Sequence, residues 1–337
     1  MNKLPLIKPF IKTNIFDECF IESITDNSKD VLKNSLFVAR QGEGLHGKVF
    51  IKEAEKKGAS CIISDQEIEE EIDIPIYCIK NLENIITELL FRFYELSEDD
   101  FIFHGVTGTN GKTTTAFMAH NIMRELQKPS IYIGTLGAII NDDLIKTKGN
   151  TTPGIFELFE ILQACKLQQK TYVFLEISSH ALVQKRLCNL PFLQTIILNI
   201  QSDHLDYHKT ETDYINAKLS ITNLNNKNPT IISIDQIQDL LPSLSEAQKE
   251  QLSNSQFLSA KNPSAPLKYS YVYNPDGPST INLNFPSLTL DASVSLFLKF
   301  NIENYISAIA LISEHIDSND LNNTQRALIK MPEGRGE

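Results

Sequence analysis

A glycine-rich stretch that ends in a lysine and two threonines carries the clearest chemistry in this chain: Gly105-Val106-Thr107-Gly108-Thr109-Asn110-Gly111-Lys112-Thr113-Thr114. It follows an apolar run, Phe101 to Phe103, and precedes a helix-patterned segment, Thr115 to Leu126. Glycines let backbone N–H groups converge on an anion, and a helix N-terminus favours negative charge. The pattern predicts a phosphate-binding loop in which Lys112 contacts the β- and γ-phosphates of a nucleotide and Thr113 binds Mg²⁺.

The spacing of this loop departs by one residue from the general pattern G-x-x-x-x-G-K-[ST]. Counting back from Gly111 places Val106 where the first glycine belongs, and the glycine stands one residue earlier, at Gly105. A plain strand-to-helix turn could also contain Gly-Lys-Thr. Two glycines, a lysine and two hydroxyls in one stretch favour phosphate binding over that interpretation.

Acidic and imidazole side chains follow two later apolar runs. Glu176 ends the run that begins at Tyr172, and Mg²⁺ needs a hard oxygen ligand opposite the loop threonine. The segment 203–208 (Asp-His-Leu-Asp-Tyr-His) has two carboxylates and two imidazoles within six residues. A solvated strand end and a polar loop are the plainer interpretations, but the nearby phosphate loop favours Mg²⁺ or phosphate contact. Zinc is not expected, because no H-E-x-x-H or paired-cysteine pattern is present.

A third polar stretch, Asn150-Thr151-Thr152-Pro153-Gly154, combines three short hydrogen-bonding side chains with a rigid turn. Taken alone it is a good helix start, because proline is common at the first position of a helix. It lies between predicted strands, and a substrate bound to the sheet would contact such a connection.

The elements that must position these residues read as two α/β domains in a chain of 337 residues. Residues 1–97 have short strand-like runs separated by helical patterns, and the acidic cluster from Glu95 to Asp100 marks the boundary. Residues 98–337 alternate continuous apolar strands with helices. This alternation predicts a phosphate-loop domain whose mostly parallel sheet is covered by helices on both faces. Ligands of such sheets bind at the carboxyl ends of the strands, where each polar motif above lies.

Composition narrows the class of partner. The chain has 31 basic and 42 acidic residues, giving a net charge of −11 without a basic block, so neither nucleic acid nor an anionic membrane surface is expected as a partner. Five scattered cysteines without a C-x-x-C pair indicate idle cytosolic thiols. The N-terminus resembles no signal peptide, and no segment is long and apolar enough to span a bilayer. A cytoplasmic monomer is expected.

Taken together, these motifs resemble the Mur ligase family of peptidoglycan synthesis, and especially its branch that adds the third amino acid of the stem peptide. The resemblance runs over essentially the whole chain. Besides the loop and the three polar motifs, it includes the segments 24–29, 36–39, 176–182, 214–218, 300–304 and 334–337.

The resemblance implies a fold, a reaction and a set of site residues. The reaction is ATP- and Mg²⁺-dependent joining of a diamino acid to UDP-N-acetylmuramoyl-dipeptide through an acyl phosphate. The implied catalytic residues are Lys112, His204 and Lys218, the last carried as a carbamate. The implied metal ligands are Thr113, Glu176, His204 and Lys218. The implied nucleotide contacts are Gly108, Thr109, Asn110, Gly111, Lys112, Thr113, Thr114, Asn304 and Arg335. The implied substrate contacts are Ser28, Glu43, Gly44 and Leu45 at the uridine end, and Asn150, Thr151, Thr152, Ser178, Gln184 and Arg186 along the muramoyl-dipeptide.

Two positions depart from the family pattern. Lys29 replaces the usual arginine after Ser28, and Lys299 stands where glycine usually precedes Phe300-Asn301. The third domain of the family, which selects the incoming amino acid, would begin just after Glu337. A chain that ends there is expected to bind its ligands but to ligate poorly. A folylpolyglutamate synthase and a non-catalytic binding fragment remain alternatives.

Overall fold

The protein is described here from a computed structural model covering residues 2–11, 18–42, 44–140, 142–165, 169–224, 226–296 and 298–324. The chain divides into two compact units. The first comprises Met1–Glu98 with the later segments Gly154–Lys166 and Gln184–Asn189. The second comprises Asp99–Pro153, Leu167–Val183 and Leu190–Glu337. Two segments that follow residue 98 in the chain therefore group with the first unit.

The first unit is built on a four-stranded parallel sheet in the order β1-β2-β3-β4. Its strands are β1 (Ser23–Thr25), β2 (Ser35–Ala39), β3 (Ala59–Ser64) and β4 (Ile76–Cys78). Its helices are α1 (Leu4–Ile7), α2 (Ile51–Lys56), α3 (Leu82–Phe93) and α5 (Ile155–Ala164). All five residues of β2 are buried, as is usual for a parallel strand covered on both faces. Phe37, Ile51 and Ile62 are in the core between this sheet and α2.

The second unit contains an eleven-stranded sheet in the order β15-β14-β13-β12-β11-β10-β5-β9-β6-β7-β8. Its strands are β5 (Phe101–Thr107), β6 (Ser130–Gly134), β7 (Gly137–Ile140), β8 (Asp143–Ile145), β9 (Thr171–Glu176), β10 (Phe192–Ile197), β11 (Ile231–Ser233), β12 (Gln256–Ser259), β13 (Leu267–Val272), β14 (Ser279–Phe285) and β15 (Leu288–Val294). Its helices are α4 (Lys112–Glu125), α6 (Ser179–Val183), α7 (Leu205–His208), α8 (Glu211–Leu219), α9 (Glu246–Ser253), α10 (Lys299–Ile312) and α11 (Ser318–Thr324).

The seven strands from β13 to β6 are parallel, and the hairpins at both edges are antiparallel. The predicted mostly parallel α/β fold is therefore confirmed. Helices α4 and α10 pack together over the sheet, with Ala116, Met123, Ile306 and Ile309 in their shared core. This core fixes α4 behind β5, so the connection between them lies at the carboxyl edge of the sheet.

Four neighbouring strands, β9, β5, β10 and β11, end at this carboxyl edge. Ser178 follows β9, the phosphate loop follows β5, and the segment 203–208 follows β10. These motifs share one edge of the sheet because the three strands run in the same direction. The longest helices, α4 and α10, have 14 residues each. Within the described part of the chain, no helix is both long and apolar enough to cross a membrane.

A buried histidine in β5 should make the second unit sensitive to acid. His104 is fully buried and stacks on Phe174 at a ring distance of 5.1 Å. Burial, with a smaller contribution from His315, lowers the pKa of His104 to about 3. Below about pH 6.5, His104 is protonated in the unfolded chain but stays neutral in the folded protein. The free energy of unfolding therefore falls by up to about 1.4 kcal/mol per pH unit.

We therefore expect His104→Phe, which keeps the ring stack, to reduce the loss of melting temperature between about pH 7 and pH 5. The loss is reduced rather than abolished because burial also lowers the pKa of His120, to about 4. Thermal unfolding at the two pH values measures the effect. A variant as acid-sensitive as the parent protein would contradict it.

Candidate functional site

The glycine-rich loop connects the end of β5 to the start of α4. Gly111 precedes the helix with a φ of +87°, a conformation that favours glycine. A β-carbon at this position would lie 2.4 Å from Oδ1 of Asn304, so the loop and α10 approach each other too closely for any larger residue. The N-terminus of α4 lies at the carboxyl edge of the sheet, a position where an anion is favoured.

Side chains from the connection after β10 hold the loop in this shape. The amide side chain of Asn199 accepts a hydrogen bond from the Asn110 backbone at 2.9 Å and donates to the Asn110 carbonyl at 3.0 Å. Thr109 donates from its hydroxyl to the carbonyl of Gln201 at 3.1 Å. The ammonium of Lys112 donates to the carbonyls of Gly108 and Thr109 at 2.8 and 3.0 Å. The loop is thus preorganised around a lysine, the geometry that suits a triphosphate.

Glu176, at the end of β9, is the buried carboxylate of the site, with no exposed surface. It accepts four hydrogen bonds: one from Thr113 Oγ1 at 2.9 Å, one from the Tyr132 hydroxyl, and two from the Thr135 backbone N–H and hydroxyl at 3.0 and 3.2 Å. A β-carbon on Gly134 would lie 2.1 Å from its Oε1. The glycine gives the carboxylate its space, and the Thr113 contact sets it directly opposite the loop.

Lys218 on α8 is the buried cation of the site, only 1 % exposed. Burial lowers its pKa to about 7, and repulsion from Lys112 acts in the same direction while Asp203 opposes it. Its ammonium lies 4.7 Å from the centre of the Tyr214 ring, and the Tyr214 hydroxyl is 2.9 Å from Thr109 Oγ1. Helix α8 is therefore connected to the phosphate loop through this tyrosine.

The histidine predicted as a metal ligand lies in a cluster of rings. His204 is half exposed and has a φ of +50°. Its Nε2 is 3.5 Å from Oδ2 of Asp203, and its ring centre is 5.2 Å from that of His180. Across the described residues, no three His, Cys, Asp or Glu side chains are grouped closely enough to hold a metal ion.

Part of the predicted substrate contact lies beside Glu176. Thr152 is buried, donates to the carbonyl of Glu176 at 2.9 Å, and accepts from the backbone N–H of Ser178 at 2.9 Å. Thr151 accepts from the Thr135 hydroxyl at 3.4 Å, and Asn150 is exposed. The structure therefore brings Thr151, Thr152 and Ser178 together with Glu176.

The remaining residues predicted to contact the substrate belong to the first unit. Gln184 accepts a hydrogen bond from Nε of Arg186 at 2.7 Å. Ser28 is buried and donates to Glu53 at 2.8 Å, whereas Leu45, next to Gly44 with its φ of +80°, is exposed. Two predicted residues, Glu43 and Arg335, lie outside the described residues.

A cavity of about 530 Å³ opens beside the loop within the second unit. From the loop side it is lined by Asn110, Gly111, Thr114, Leu198, Asn199 and Gln201, and from α10 by Phe300, Glu303, Asn304 and Ser307. Its far wall is formed by Ser233, Gln236, Leu258 and Tyr269. Of these residues, the sequence analysis had indicated Asn110, Gly111, Thr114 and Asn304 as nucleotide contacts. The far wall was not predicted, because its residues come from three separate strands and from the segment after β11.

These features fit a nucleoside triphosphate with a divalent cation. The loop N–H groups and Lys112 suit the phosphates, the Thr113 and Glu176 oxygens suit Mg²⁺, and the adjoining cavity has room for a nucleoside. All three lie along one edge of the sheet.

Comparison with known proteins gives consistent results. Residues 106–312 match the sequence profile of the Mur ligase middle domain. A relative from Oceanobacillus iheyensis, named UDP-N-acetylmuramyl-tripeptide synthetase 2, is 33 % identical over 202 residues, which is 60 % of this chain and 41 % of the relative. The chain thus matches less than half of that relative's length.

Two solved structures share the fold. One, named UDP-N-acetylmuramoyl-L-alanyl-D-glutamate–2,6-diaminopimelate ligase, superposes with a TM-score of 0.76 at 24 % identity, over 98 % of this chain and 67 % of that one. A bifunctional folylpolyglutamate synthase/dihydrofolate synthase superposes less well, with a TM-score of 0.50 at 16 % identity, over 74 % of this chain and 63 % of that one. At these identities the likeness concerns the fold.

Proposed function

This chain belongs to the Mur ligase family. On that basis we propose that the protein is an ATP-dependent amide ligase of peptidoglycan precursor synthesis. The proposed reaction adds a diamino acid, the third residue of the stem peptide, to UDP-N-acetylmuramoyl-L-alanyl-D-glutamate. The observation that carries this proposal is the pairing of the phosphate loop with a buried carboxylate, in which Thr113 donates to Glu176. We further propose that the protein works as a monomer in the cytoplasm, where ATP is available.

The chemistry has two steps. A carboxylate oxygen of the substrate attacks the γ-phosphorus of ATP, the bond to ADP breaks, and an acyl phosphate forms. The amine of the incoming amino acid then attacks the carbonyl carbon, and phosphate leaves with the former carboxylate oxygen. Because two anions meet in the first step, the site must offset negative charge, which is the role we assign to Lys112. Bound Mg²⁺ would supply further charge compensation, and Thr113 and Glu176 are the residues that would hold it.

The residues beside Glu176 support the choice of substrate within the family. Thr152 donates to the Glu176 carbonyl and accepts from the Ser178 N–H, so a substrate held there lies next to the phosphate loop. The relative described above is named for the tripeptide step. A bifunctional folylpolyglutamate synthase/dihydrofolate synthase shares the fold with a lower TM-score, 0.50 against 0.76, and is the alternative ligase. A non-catalytic binding fragment is the remaining alternative.

A product assay tests the proposal. The protein at its full natural length is incubated with ATP, Mg²⁺, UDP-N-acetylmuramoyl-dipeptide and either meso-diaminopimelate or L-lysine. We expect ADP, phosphate and the UDP-muramoyl-tripeptide with one of the two amino acids. Glutamate addition to a folate instead would support the alternative ligase. Binding of the nucleotide and UDP-precursor without any product would support the binding fragment.

Ser28 provides a test of the uridine site that we assign to the first unit. Its hydroxyl donates to Glu53, so its oxygen remains an acceptor for a ligand. Ser28→Ala should weaken binding of UDP-N-acetylmuramoyl-dipeptide by up to about tenfold, the value of one hydrogen bond, and leave ATP binding unchanged. Calorimetric titration of each ligand measures both effects. Equal weakening of the two would refute this division of labour.

Lys218 is proposed to be carbamylated, with its neutral amine attacking CO₂ and releasing a proton to solvent. Since its pKa is lowered to about 7, the amine becomes neutral as the pH rises through that value. We expect a carbon-13 carbamate resonance with labelled bicarbonate that strengthens between about pH 6 and pH 8 and is absent in Lys218→Arg. The matched change Lys249→Arg, at an exposed lysine, should leave the carbamate resonance unchanged. Absence of the carbamate resonance at about pH 8 in the parent protein would rule out the modification.

A further inference from the structure

A second carboxylate is fixed in the cavity beside the phosphate loop, and the reaction proposed above gives it no role. Glu303, near the start of α10, lines the cavity and is partly buried. Its Oε2 accepts a hydrogen bond from Nε2 of Gln236 at 2.9 Å, and its Oε1 accepts one from the Tyr271 hydroxyl at 2.9 Å. Two donors on different elements hold the carboxylate in one position. It is therefore a preorganised acceptor rather than a mobile surface charge.

The sheet order places this carboxylate at the nucleoside end of the cavity. Gln236 follows β11 and Tyr271 is in β13, which are two and four strands from β5. At the usual spacing between strands, these positions are roughly 10 and 19 Å across the sheet from the strand that carries the phosphate loop. With the phosphates of a nucleotide on the loop, its base is the part of the molecule that reaches furthest toward Glu303.

The surroundings of Glu303 suit a flat heterocycle with an amino group. Phe300, Tyr269 and Leu258 provide apolar surface in the same cavity. Because Gln236 donates its amide nitrogen to Glu303, its amide oxygen is left as a second acceptor. Two acceptors next to each other match the two hydrogens of an exocyclic amine. They repel a carbonyl oxygen, because it carries a partial negative charge and has no hydrogen to donate to either acceptor.

We propose that Glu303 is a specificity-determining residue that accepts a hydrogen bond from the exocyclic amine of adenine and disfavours guanine, whose carbonyl oxygen occupies the same place on the ring. This inference rests on the proposed function, because it requires ATP on the phosphate loop. Tyr271 and Gln236 are positioning residues that act through Glu303. A carboxylate that merely anchored α10 to the sheet would affect stability without distinguishing the two bases.

The experiment is a pair of titrations, ATP and GTP, each with Mg²⁺, on the parent protein and on Glu303→Gln. The parent should bind ATP more tightly. In Glu303→Gln an amide donor replaces one acceptor oxygen, so the ratio of ATP to GTP affinity should fall by at least about tenfold. Tyr271→Phe, which removes one of the two anchoring donors, should lower the ratio by a smaller factor. Glu314→Gln, an exposed change just beyond α10, should leave both affinities as they are.

The outcomes separate this inference from the proposed function. If Glu303→Gln weakens ATP and GTP equally, or changes neither, the specificity role is overturned while ATP binding at the loop stands. If the parent binds no nucleotide, or Lys112→Ala binds ATP as well as the parent does, the proposed function fails and this inference fails with it. Thermal unfolding of each variant shows whether a loss of binding comes from misfolding.

Discussion

Replacing Lys112 by alanine should weaken ATP binding by roughly ten- to a hundredfold, the value of one or two hydrogen bonds made by a charged group. The ammonium lies inside the loop, where it donates to the carbonyls of Gly108 and Thr109. A triphosphate bound to the loop would replace these carbonyl contacts with stronger ones to anionic oxygens. Calorimetric titration of ATP with Mg²⁺ measures the loss.

The matched control for this change is Lys249→Ala. Lys249 is on the surface of α9 in an ion pair with the exposed Glu246, and exposed pairs contribute little. The control should bind ATP like the parent protein. Unchanged binding by Lys112→Ala would show that the loop is not the phosphate site.

Changing Glu176 to glutamine should lower the rate of ATP cleavage by roughly a hundredfold or more, because charge compensation by a metal is worth several kcal/mol. The amide keeps the shape of the carboxylate but removes its charge and one acceptor oxygen. Thr113, Tyr132 and the Thr135 N–H all donate toward this group, so an amide nitrogen would also face donors. The free energy of unfolding should therefore fall together with the affinity for Mg²⁺.

Two measurements separate these effects. Thermal unfolding reports the loss of stability, and the Mg²⁺ concentration for half-maximal ATP cleavage reports the loss of the metal ligand. Glu250→Gln, an exposed change on α9, serves as the control and should alter neither. If Glu176→Gln cleaves ATP at the parent rate with the same Mg²⁺ requirement, this carboxylate is not a metal ligand.

The sequence was most informative where strands are buried on both faces. The segment 36–39, singled out in the sequence, forms most of β2 (35–39), and the run from Tyr172 to Glu176 forms β9, which begins one residue earlier. Such strands read as continuous apolar segments, so their existence and their ends are local properties. The phosphate loop was predictable for the same reason, because its glycines and lysine are adjacent in the chain.

The sequence was less informative at the edges of the large sheet. Strands β7 and β8 were not predicted, because each is short and β8 is largely exposed. In β14 only every second residue is buried, which gave a weak pattern within a polar region. Helix α4 begins at Lys112 rather than Thr115, since the loop threonines look polar although Thr113 and Thr114 are buried.

The site shows the same division between local and non-local information. The position of Glu176 at a strand end was visible in the sequence, but its four hydrogen-bond donors were not. The cluster of Gln236, Tyr271 and Glu303 could not be predicted at all. These residues are more than thirty positions apart, and only the packing of α10 over β11 and β13 brings them together.

An isotope-transfer measurement tests the proposed carboxylate activation most directly. UDP-N-acetylmuramoyl-dipeptide labelled with oxygen-18 in the carboxylate to be joined is incubated with the full-length protein, ATP, Mg²⁺ and the diamino acid. If the loop residues and Glu176 transfer the γ-phosphoryl group to that carboxylate, the phosphate released must carry one labelled oxygen for each amide bond formed. Amide product accompanied by unlabelled phosphate would contradict the account, because the carboxylate would then have been activated without accepting phosphate.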